Sequence, residues 1–372
     1  MTIVAPSPHL PKVAPYIQSC IPYPPGKPIE ELERELGIKD IIKLASNENP
    51  LGASPKAVKA MEAAIKDLRL YPDANHFYLR QKLAEHNGVD AEEIIVGNGS
   101  NEIIDFIIRS FCSPGDNVVS CGAAFVAYRV CAQVHGVEYR EPPLDNDLMA
   151  ELEAILKLCD EKTRIVFLPN PNNPTGTYVR REVLKGILQR LLGKNVLVLL
   201  DYAYWEYVTA DDLPDPMEIY REFSNVIITR TFSKIYGLAG LRVGYGIAHP
   251  DILSPMKKVK MPFNVSNLAL VAAQAAIDDV AHVKRSFEIN AEGKTYLEKE
   301  FKRLGLGYFP SQANFLLVKF PNNNPIELYE SMLKEGVILR PVAGYGLREH
   351  LRISIGTRAE NKRMIESLER FL

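Results

Sequence analysis

The stretch Thr231-Phe-Ser-Lys-Ile-Tyr-Gly-Leu-Ala-Gly-Leu-Arg-Val-Gly-Tyr245 follows the short apolar run Val226-Ile-Ile228. The run is β-branched and has the length of a buried strand, whereas the small, hydroxylated and glycine residues after it indicate a loop. Such a loop places its lysine, Lys234, at the carboxyl end of a strand, where open α/β sheets bind ligands. Taken alone, a loop lysine is more often a solvated surface charge, so its neighbours must decide.

Hydroxyl and guanidinium groups surround Lys234 in the sequence. Thr231 and Ser233 precede it, and Arg242 follows eight positions later. Hydroxyls together with a forked guanidinium suit a phosphate dianion, because arginine offers two charge-assisted hydrogen bonds. A lysine beside a phosphate site favours a phosphorylated aldehyde cofactor that the lysine binds as a Schiff base.

Strand-like and helical runs alternate along the rest of the chain. The first set of apolar runs comprises Ile94–Val96, Val118–Val119, Ile165–Leu168, Val196–Leu200, Val226–Ile228 and Val243–Ile247. They are continuously apolar, as strands covered on both faces are, so we predict an α/β fold with a mostly parallel, doubly wound sheet. After a helical stretch from about Asn267 to Leu304, a second set predicts a smaller α+β domain: Phe315–Val318, Val337–Leu339 and Leu351–Ile355.

The N-terminal region is rich in proline and then contains a short helical pattern, Ile29–Leu36, which Gly37 ends. We interpret it as an arm rather than an independent domain. The predicted boundaries are residues 1–45 for the arm and part of the small domain, 46–280 for the large cofactor-binding domain, and 281–372 for the small domain.

Composition excludes several classes of protein. The 372 residues carry a net charge of −2, which gives no basic field for nucleic acid. The longest apolar runs are too short to span a bilayer, and the N-terminus lacks the pattern of a signal peptide. The five cysteines have no C-x-x-C spacing, so no metal site is indicated. We expect a cytoplasmic protein without nucleic-acid or membrane partners.

The motifs, as an ordered set, resemble those of histidinol-phosphate aminotransferases, a family of fold-type I pyridoxal 5'-phosphate (PLP) enzymes. The resemblance extends from Tyr23-Pro-Pro-Gly-Lys-Pro28 to Leu351-Arg-Ile-Ser-Ile-Gly-Thr357. It implies PLP as cofactor, a homodimer with shared active sites, and a step of histidine biosynthesis. In that step L-histidinol phosphate and 2-oxoglutarate give imidazole-acetol phosphate and glutamate.

The phosphate end of the cofactor site is assigned partly from the residues and partly from the resemblance. Gly97-Asn-Gly-Ser-Asn-Glu102 follows a predicted strand and opens a helix, whose first amides can bind an anion. A plain glycine turn is an equally good interpretation of this loop. The resemblance gives Ser100 and Asn101 the phosphate, together with Thr231, Ser233 and Arg242, and lets Tyr71 reach it from the neighbouring subunit.

The ring end of the cofactor is assigned mainly by the resemblance. Phe125 would stack on the pyridine ring, although many relatives have tyrosine there. Asn173, in Asn170-Pro-Asn-Asn-Pro-Thr-Gly176, and Tyr204 would bond the phenolic oxygen. Asp201 ends the strongest apolar run, where an unpaired acid is costly to bury, and its partner would be the pyridinium nitrogen. Lys234 would carry the cofactor and then shuttle the substrate proton, with its amine form favoured by burial and by Arg242.

Four residues are assigned to the substrate by the resemblance. Arg352 would bind the anionic end, with Arg340 beside it, although exposed arginines are the default interpretation of both. Tyr23 and Asn49 match positions that close over the substrate.

Three other functions are weighed. Aromatic amino-acid transamination and threonine-phosphate decarboxylation occur on nearly identical scaffolds. A non-enzymatic PLP sensor is disfavoured, because the region before the large domain contains one short acidic helix and no helix-turn-helix pattern.

Overall fold

The computed structural model describes residues 11–22, 25–148 and 151–372, which form strands, helices and short connections. The strands are β1 (Ile42–Lys43), β2 (Ile94–Gly97), β3 (Asn117–Ser120), β4 (Glu138–Arg140), β5 (Thr163–Pro169), β6 (Leu197–Asp201), β7 (Val226–Thr231), β8 (Gly244–Ala248), β9 (Gly307–Phe309), β10 (Phe315–Lys319), β11 (Val337–Ile338), β12 (Arg340–Pro341) and β13 (His350–Ser354).

The helices occupy most of the remaining chain. They are α1 (Pro15–Gln18), α2 (Ile29–Leu36), α3 (Pro55–Ala64), α4 (Phe77–Asn87), α5 (Ser100–Phe111), α6 (Ala127–Val134), α7 (Leu152–Lys157), α8 (Arg181–Leu191), α9 (Pro216–Glu222), α10 (Pro250–Val259), α11 (Asn267–Ile277), α12 (Val280–Arg303), α13 (Pro325–Lys334) and α14 (Arg358–Leu368). None in the described part of the chain has the length and apolarity to cross a bilayer.

A seven-stranded sheet forms the centre of the larger part of the molecule. Its strand order is β2-β8-β7-β6-β5-β3-β4, and every neighbouring pair is parallel except the two that involve β8. Nearly all residues of β2, β3, β5, β6 and β7 are buried, because helices cover both faces. The predicted mostly parallel, doubly wound sheet is therefore confirmed.

The carboxyl ends of β2, β3, β5, β6 and β7 lie at one edge of this sheet. Because β8 runs the other way, its first residue, Gly244, reaches the same edge beside Thr231. The loops that follow β2 and β7 and the one that precedes β8 therefore meet at one place. This edge is where ligands bind in open α/β folds.

A second, four-stranded antiparallel sheet has the order β12-β13-β10-β9. Its apolar face packs with α12 and α14 into a core separate from that of the large sheet. Strand β1 pairs with β11, which joins the N-terminal region to this smaller part. The pairing attaches Ile42 and Lys43 to the smaller part, and the domain boundaries stay a prediction.

Local sequence signals fixed several helix ends. Ser54 caps α3 by accepting a hydrogen bond from the Ala57 amide, and α2 ends at Gly37 in the left-handed conformation, as predicted. The helical stretch from Asn267 to Leu304 is instead two helices. Asp279 interrupts it, because its carboxylate accepts from the His282 amide and starts α12.

Candidate active site

A cavity of about 250 Å³ lies at the carboxyl edge of the large sheet. It brings together every predicted cofactor residue except Tyr71, namely Ser100, Asn101, Phe125, Asn173, Asp201, Tyr204, Thr231, Ser233, Lys234 and Arg242. These residues come from parts of the chain that are far apart in sequence. They meet because each lies at or after the carboxyl end of a parallel strand, or precedes β8. No group of three or more His, Cys, Asp and Glu side chains among residues 11–22, 25–148 and 151–372 could hold a metal ion.

Lys234 lies on the loop after β7, with its amine at the floor of the cavity. Its Nζ donates a hydrogen bond to the Ser46 carbonyl oxygen at 3.1 Å and lies 5.7 Å from the Tyr204 ring centroid. Burial lowers the pKa of Lys234 to about 8, and the Arg352 guanidinium contributes more to the shift than Arg242 does. The neutral amine, which is the form that acts as nucleophile or proton acceptor, is therefore far more abundant near neutral pH than in an ordinary lysine.

Asp201 ends β6 and is buried beside the cavity. Its Oδ2 accepts a hydrogen bond from the Tyr128 hydroxyl at 2.8 Å, whereas Oδ1 is buried without a hydrogen-bond partner among the described residues. Burial raises the pKa of Asp201, and the Tyr128 hydroxyl opposes that rise by stabilising the carboxylate. An unpartnered buried carboxylate oxygen is costly, so this atom is suited to a cationic donor from a ligand.

The opposite end of the cavity is built for an anion. Helix α5 starts at Ser100, and its first amides point away from the helix toward the cavity end. The Arg242 Nη1 donates to the Ser233 hydroxyl at 3.3 Å, and the Ser233 amide donates to the Thr231 hydroxyl at 3.1 Å. Gly99 has φ +80°, and a Cβ on it would lie 2.5 Å from the Arg242 Nη2, so only glycine lets the guanidinium approach this loop.

Polar side chains line the wall between these ends. The Tyr204 hydroxyl accepts from the Asn47 amide nitrogen at 3.0 Å, and burial raises the pKa of Tyr204 to about 12. Its hydroxyl is therefore protonated and can donate. The Asn173 Oδ1 accepts from Arg352, which links the loop after β5 to the small sheet.

An adjoining cavity of about 120 Å³ is bordered by Arg340 and Arg352 and shares Lys234 with the first. The two arginines lie opposite each other on β12 and β13. Arg352 is 7% exposed, donates to the Ala45 carbonyl oxygen and lies over the Phe315 ring. Two guanidiniums and the Lys234 amine thus border one cavity, and paired guanidiniums are suited to bind an anionic group.

Three predicted residues remain: Tyr71, Asn49 and Tyr23. Tyr71 is 82% exposed and stacks on Phe263, outside the cavity of its own chain. Asn49 is buried behind the Lys234 loop and lines neither cavity. Tyr23 lies outside the described residues.

The structure adds residues that sequence reasoning missed. The Tyr128 hydroxyl donates a hydrogen bond to Asp201. Tyr128 lies three residues after Phe125, near the start of α6, and this spacing could have indicated that both side chains lie on the same side. Asn47 bonds Tyr204, although nothing local in Ala45-Ser-Asn-Glu-Asn-Pro50 distinguishes it from Asn49.

These features fit PLP: a nucleophilic amine, an unpartnered buried carboxylate for the ring nitrogen, an amide and arginine cradle for the phosphate, and Asn173 and Tyr204 between them. When bound, PLP supplies an aldehyde to the amine and a ring that withdraws electrons from the substrate α-carbon. The sheet topology and this site together define a PLP-dependent transferase of fold type I.

Comparison with known proteins identifies the family. The chain belongs to the aminotransferase class I and II family, whose model matches residues 39–368. A histidinol-phosphate aminotransferase from Anaeromyxobacter sp. (strain Fw109-5) is 45% identical over 363 residues, covering 98% of this chain and 100% of that protein. One from Moorella thermoacetica (strain ATCC 39073 / JCM 9320) is 47% identical, with 98% and 94% covered.

Solved structures agree with this assignment. Histidinol-phosphate aminotransferase from Sinorhizobium meliloti in complex with pyridoxal-5'-phosphate superposes with a TM-score of 0.87 at 28% identity, covering 98% of this chain and 99% of that chain. The protein is therefore a PLP-dependent aminotransferase.

Proposed function

We propose that this enzyme interconverts L-histidinol phosphate and 2-oxoglutarate with imidazole-acetol phosphate and L-glutamate, a step of histidine biosynthesis. The observation that carries the proposal is the Arg340–Arg352 pair beside Lys234. The names of the relatives, which match this chain over nearly its full length, support the same substrate.

Charge explains why two arginines suit this substrate. A phosphate monoester carries about 1.5 to 2 negative charges at neutral pH, which one guanidinium balances only in part. The glutamate side chain, which enters the same pocket in the other half-reaction, carries one charge. Arg352 is held by Ala45 and Asn173, so we assign it to both substrates and assign Arg340 chiefly to the phosphate.

The other site residues receive the following roles. Lys234 carries the cofactor and moves the proton between the substrate α-carbon and the cofactor carbon. Asp201 faces the ring nitrogen, while Tyr204 and Asn173 donate to the phenolic oxygen. Phe125 packs on the ring. The phosphate is bound by Ser100, Asn101, Thr231, Ser233 and Arg242.

We propose that the active unit is a cytoplasmic homodimer with shared sites. Five exposed apolar side chains, which we call the aromatic patch, support a second copy: Tyr71, Phe77, Tyr78, Met261 and Phe263. Tyr71 stacks on Phe263 and Phe77 contacts Tyr78 edge-on, and exposed apolar clusters mark interaction sites. Tyr71 would then complete the phosphate site of the partner subunit.

The variant Arg340→Ala tests the substrate assignment. Loss of a charge-assisted contact costs a few kcal/mol, so kcat/KM for histidinol phosphate should fall about 100-fold. Single-turnover half-reactions should show a clearly smaller loss for glutamate. Arg352→Ala, as the comparison variant, should impair both half-reactions, and equal losses for both substrates in Arg340→Ala would refute the division of roles.

The wild-type enzyme separates the alternatives. Turnover of histidinol phosphate should exceed that of phenylalanine and tyrosine with 2-oxoglutarate as acceptor. Comparable turnover of phenylalanine would replace the proposal with an aromatic aminotransferase, and carbon dioxide release from threonine phosphate without glutamate formation would replace it with a decarboxylase.

A further inference from the structure

The segment Ala45–Ser54, which we call the clasp, contacts four successive residues of the Lys234 loop. The Lys234 amine donates to the Ser46 carbonyl oxygen, and the Ser54 amide donates to the Tyr236 carbonyl oxygen at 3.2 Å. The backbones of the clasp and the loop also lie close together at Gly52 and Gly237. A Cβ on Gly237 would lie 1.8 Å from the Gly52 carbonyl oxygen. The lysine loop therefore has little freedom to move independently of the clasp.

Asn49 supplies the remaining contact. Its Nδ2 donates to the Ile235 carbonyl oxygen at 2.7 Å and to the Ser286 hydroxyl on α12 at 2.8 Å, and its Oδ1 accepts from the Leu51 amide at 3.0 Å. A carboxamide nitrogen has two hydrogens, and both are used. Asn49 is 8% exposed, so its amide is committed to the protein rather than presented to a substrate.

The clasp also reaches the substrate arginine and Tyr204. The Ala45 carbonyl oxygen accepts from Arg352, and the Asn47 amide donates to the Ser354 hydroxyl on β13 at 2.9 Å. The Asn47 side chain donates to Tyr204. One continuous segment thus contacts the reactive lysine, the strand that carries the substrate arginine, and a cofactor residue.

We propose that Asn49 is a positioning residue for Lys234, which fixes the backbone of the lysine through the Ile235 carbonyl and ties it to α12. The clasp then holds the amine at a set distance from the α-carbon of a substrate that Arg352 binds. This corrects the sequence-based assignment of Asn49 to the substrate. The inference rests on the aminotransferase reaction and not on the choice of histidinol phosphate.

The test compares Asn49→Ala with Asn87→Ala. Asn87 is buried to a similar degree and donates to the Leu83 carbonyl oxygen at 2.7 Å, but it lines neither cavity, so it controls for loss of a buried amide. Asn49→Ser is the second variant if alanine prevents folding. A serine hydroxyl can still accept from the Leu51 amide in the turn, but is shorter than the amide that reaches Ile235.

The first measurement needs no cofactor or substrate. Acetylation of Lys234 in cofactor-free enzyme is followed against pH by peptide mass spectrometry. A lysine released from its position becomes hydrated, which favours its charged form. The pH midpoint of Lys234 acetylation should therefore rise toward the ordinary lysine pKa in both Asn49 variants and stay unchanged in Asn87→Ala. Because no substrate takes part, failure of the proposed substrate leaves this result interpretable.

The second measurement is the half-reaction of the loaded enzyme with glutamate and with 2-deuterated glutamate. Misplacement by about 1 Å can cost 100-fold, so kcat should fall about 10- to 100-fold with KM changed less than about threefold, and the deuterium isotope effect should increase. A higher KM with unchanged kcat would overturn the proposal in favour of a substrate contact. An unchanged labelling midpoint, or an equal loss of kcat in Asn87→Ala, would also overturn it.

Discussion

The protonation state of one amine, that of Lys234, determines what the cavity can do at neutral pH. From the sequence, burial and Arg242 were expected to favour the neutral form. The structure gives burial as the largest cause and Arg352, from the small sheet, as the larger of the two arginine contributions. The direction was thus predictable from the loop itself, whereas the Arg352 contribution required the tertiary contact.

Lys234→Met should remove a pH dependence from the stability of the cofactor-free enzyme. The folded pKa is about 8 and the unfolded value about 10.4, so between these pH values the unfolded chain binds more protons. The free energy of unfolding of the wild type, relative to the variant, should therefore rise from pH 8 to pH 10. Urea unfolding of both proteins at each pH measures the difference.

A difference that stays flat across this range would contradict the lowered pKa. Lys234→Met should also lose both transamination and the covalent attachment of PLP that borohydride traps in the wild type. Trapped cofactor on another residue of the variant would overturn the assignment of Lys234.

Site residues that lie at or after strand ends were easier to predict than residues whose role depends on contacts distant in sequence. Asp201 comes directly after one apolar run and Asn173 lies on the loop that follows another, and both line the cavity, although their individual roles remain proposals. The resemblance assigned Asn49 to the substrate, whereas its contacts in the structure, Ile235 and Ser286, lie far away in sequence. No periodicity or local motif contains that information.

At the scale of elements, apolar runs identified six of the seven strands of the large sheet, but not their directions. Val243–Ile247 is an uncharged, largely apolar run like those of the parallel strands, yet β8 runs antiparallel to β2 and β7. The connection from β7 to β8 runs through the Lys234 loop and contains only one short 3-10 turn, Ala239–Leu241, instead of the crossover helix that usually joins parallel strands. The short strands β4 and β9 were not predicted, since neither contains a buried residue and each has only three residues.

Gly237 tests the close contact between the Lys234 loop and the clasp. Its φ is +70°, and an added Cβ would overlap the Gly52 carbonyl oxygen, so Gly237→Ala combines backbone strain with a backbone clash. The left-handed conformation alone costs about 1 to 2 kcal/mol for alanine, and the total loss of stability should exceed that. Thermal and urea unfolding measure it.

Gly240→Ala is the matched control on the same loop. No atom lies within 4 Å of its added Cβ, and its φ is not in the left-handed range. It should leave the unfolding midpoint and the retention of PLP nearly unchanged. Equal destabilisation by the two substitutions would show that the contact between the loop and the clasp contributes little.

At the scale of the whole molecule, motifs spread along the sequence were sufficient for the family. The resemblance to histidinol-phosphate aminotransferases is confirmed by similarity that covers nearly the full chain. Each motif alone was ambiguous. Those that line the cofactor cavity, however, lie at or after the end of a strand or precede β8, so all of them meet at one edge of the large sheet. Tyr71, which the resemblance assigns to the phosphate site, is exposed and does not line the cavity of its own chain.

Tyr71→Phe tests whether a second copy completes that site. The substitution keeps the ring that stacks on Phe263 at 4.7 Å and removes only the hydroxyl. If that hydroxyl reaches the phosphate of the partner subunit, its loss removes a hydrogen bond to a charged group, worth about 1.5 to 3 kcal/mol, and PLP retention should weaken about tenfold or more. Equilibrium dialysis of the cofactor and light scattering of the same samples measure affinity and mass.

Tyr78→Phe, on the same aromatic patch and 72% exposed, is the control and should retain PLP like the wild type. Both variants should keep the mass of a dimer, since each preserves the apolar ring that would be buried between subunits. Equal PLP retention by the two variants would refute a role for the Tyr71 hydroxyl. Full activity from a monomer at high dilution would refute shared sites altogether, since each cavity would then bind its cofactor without a neighbour.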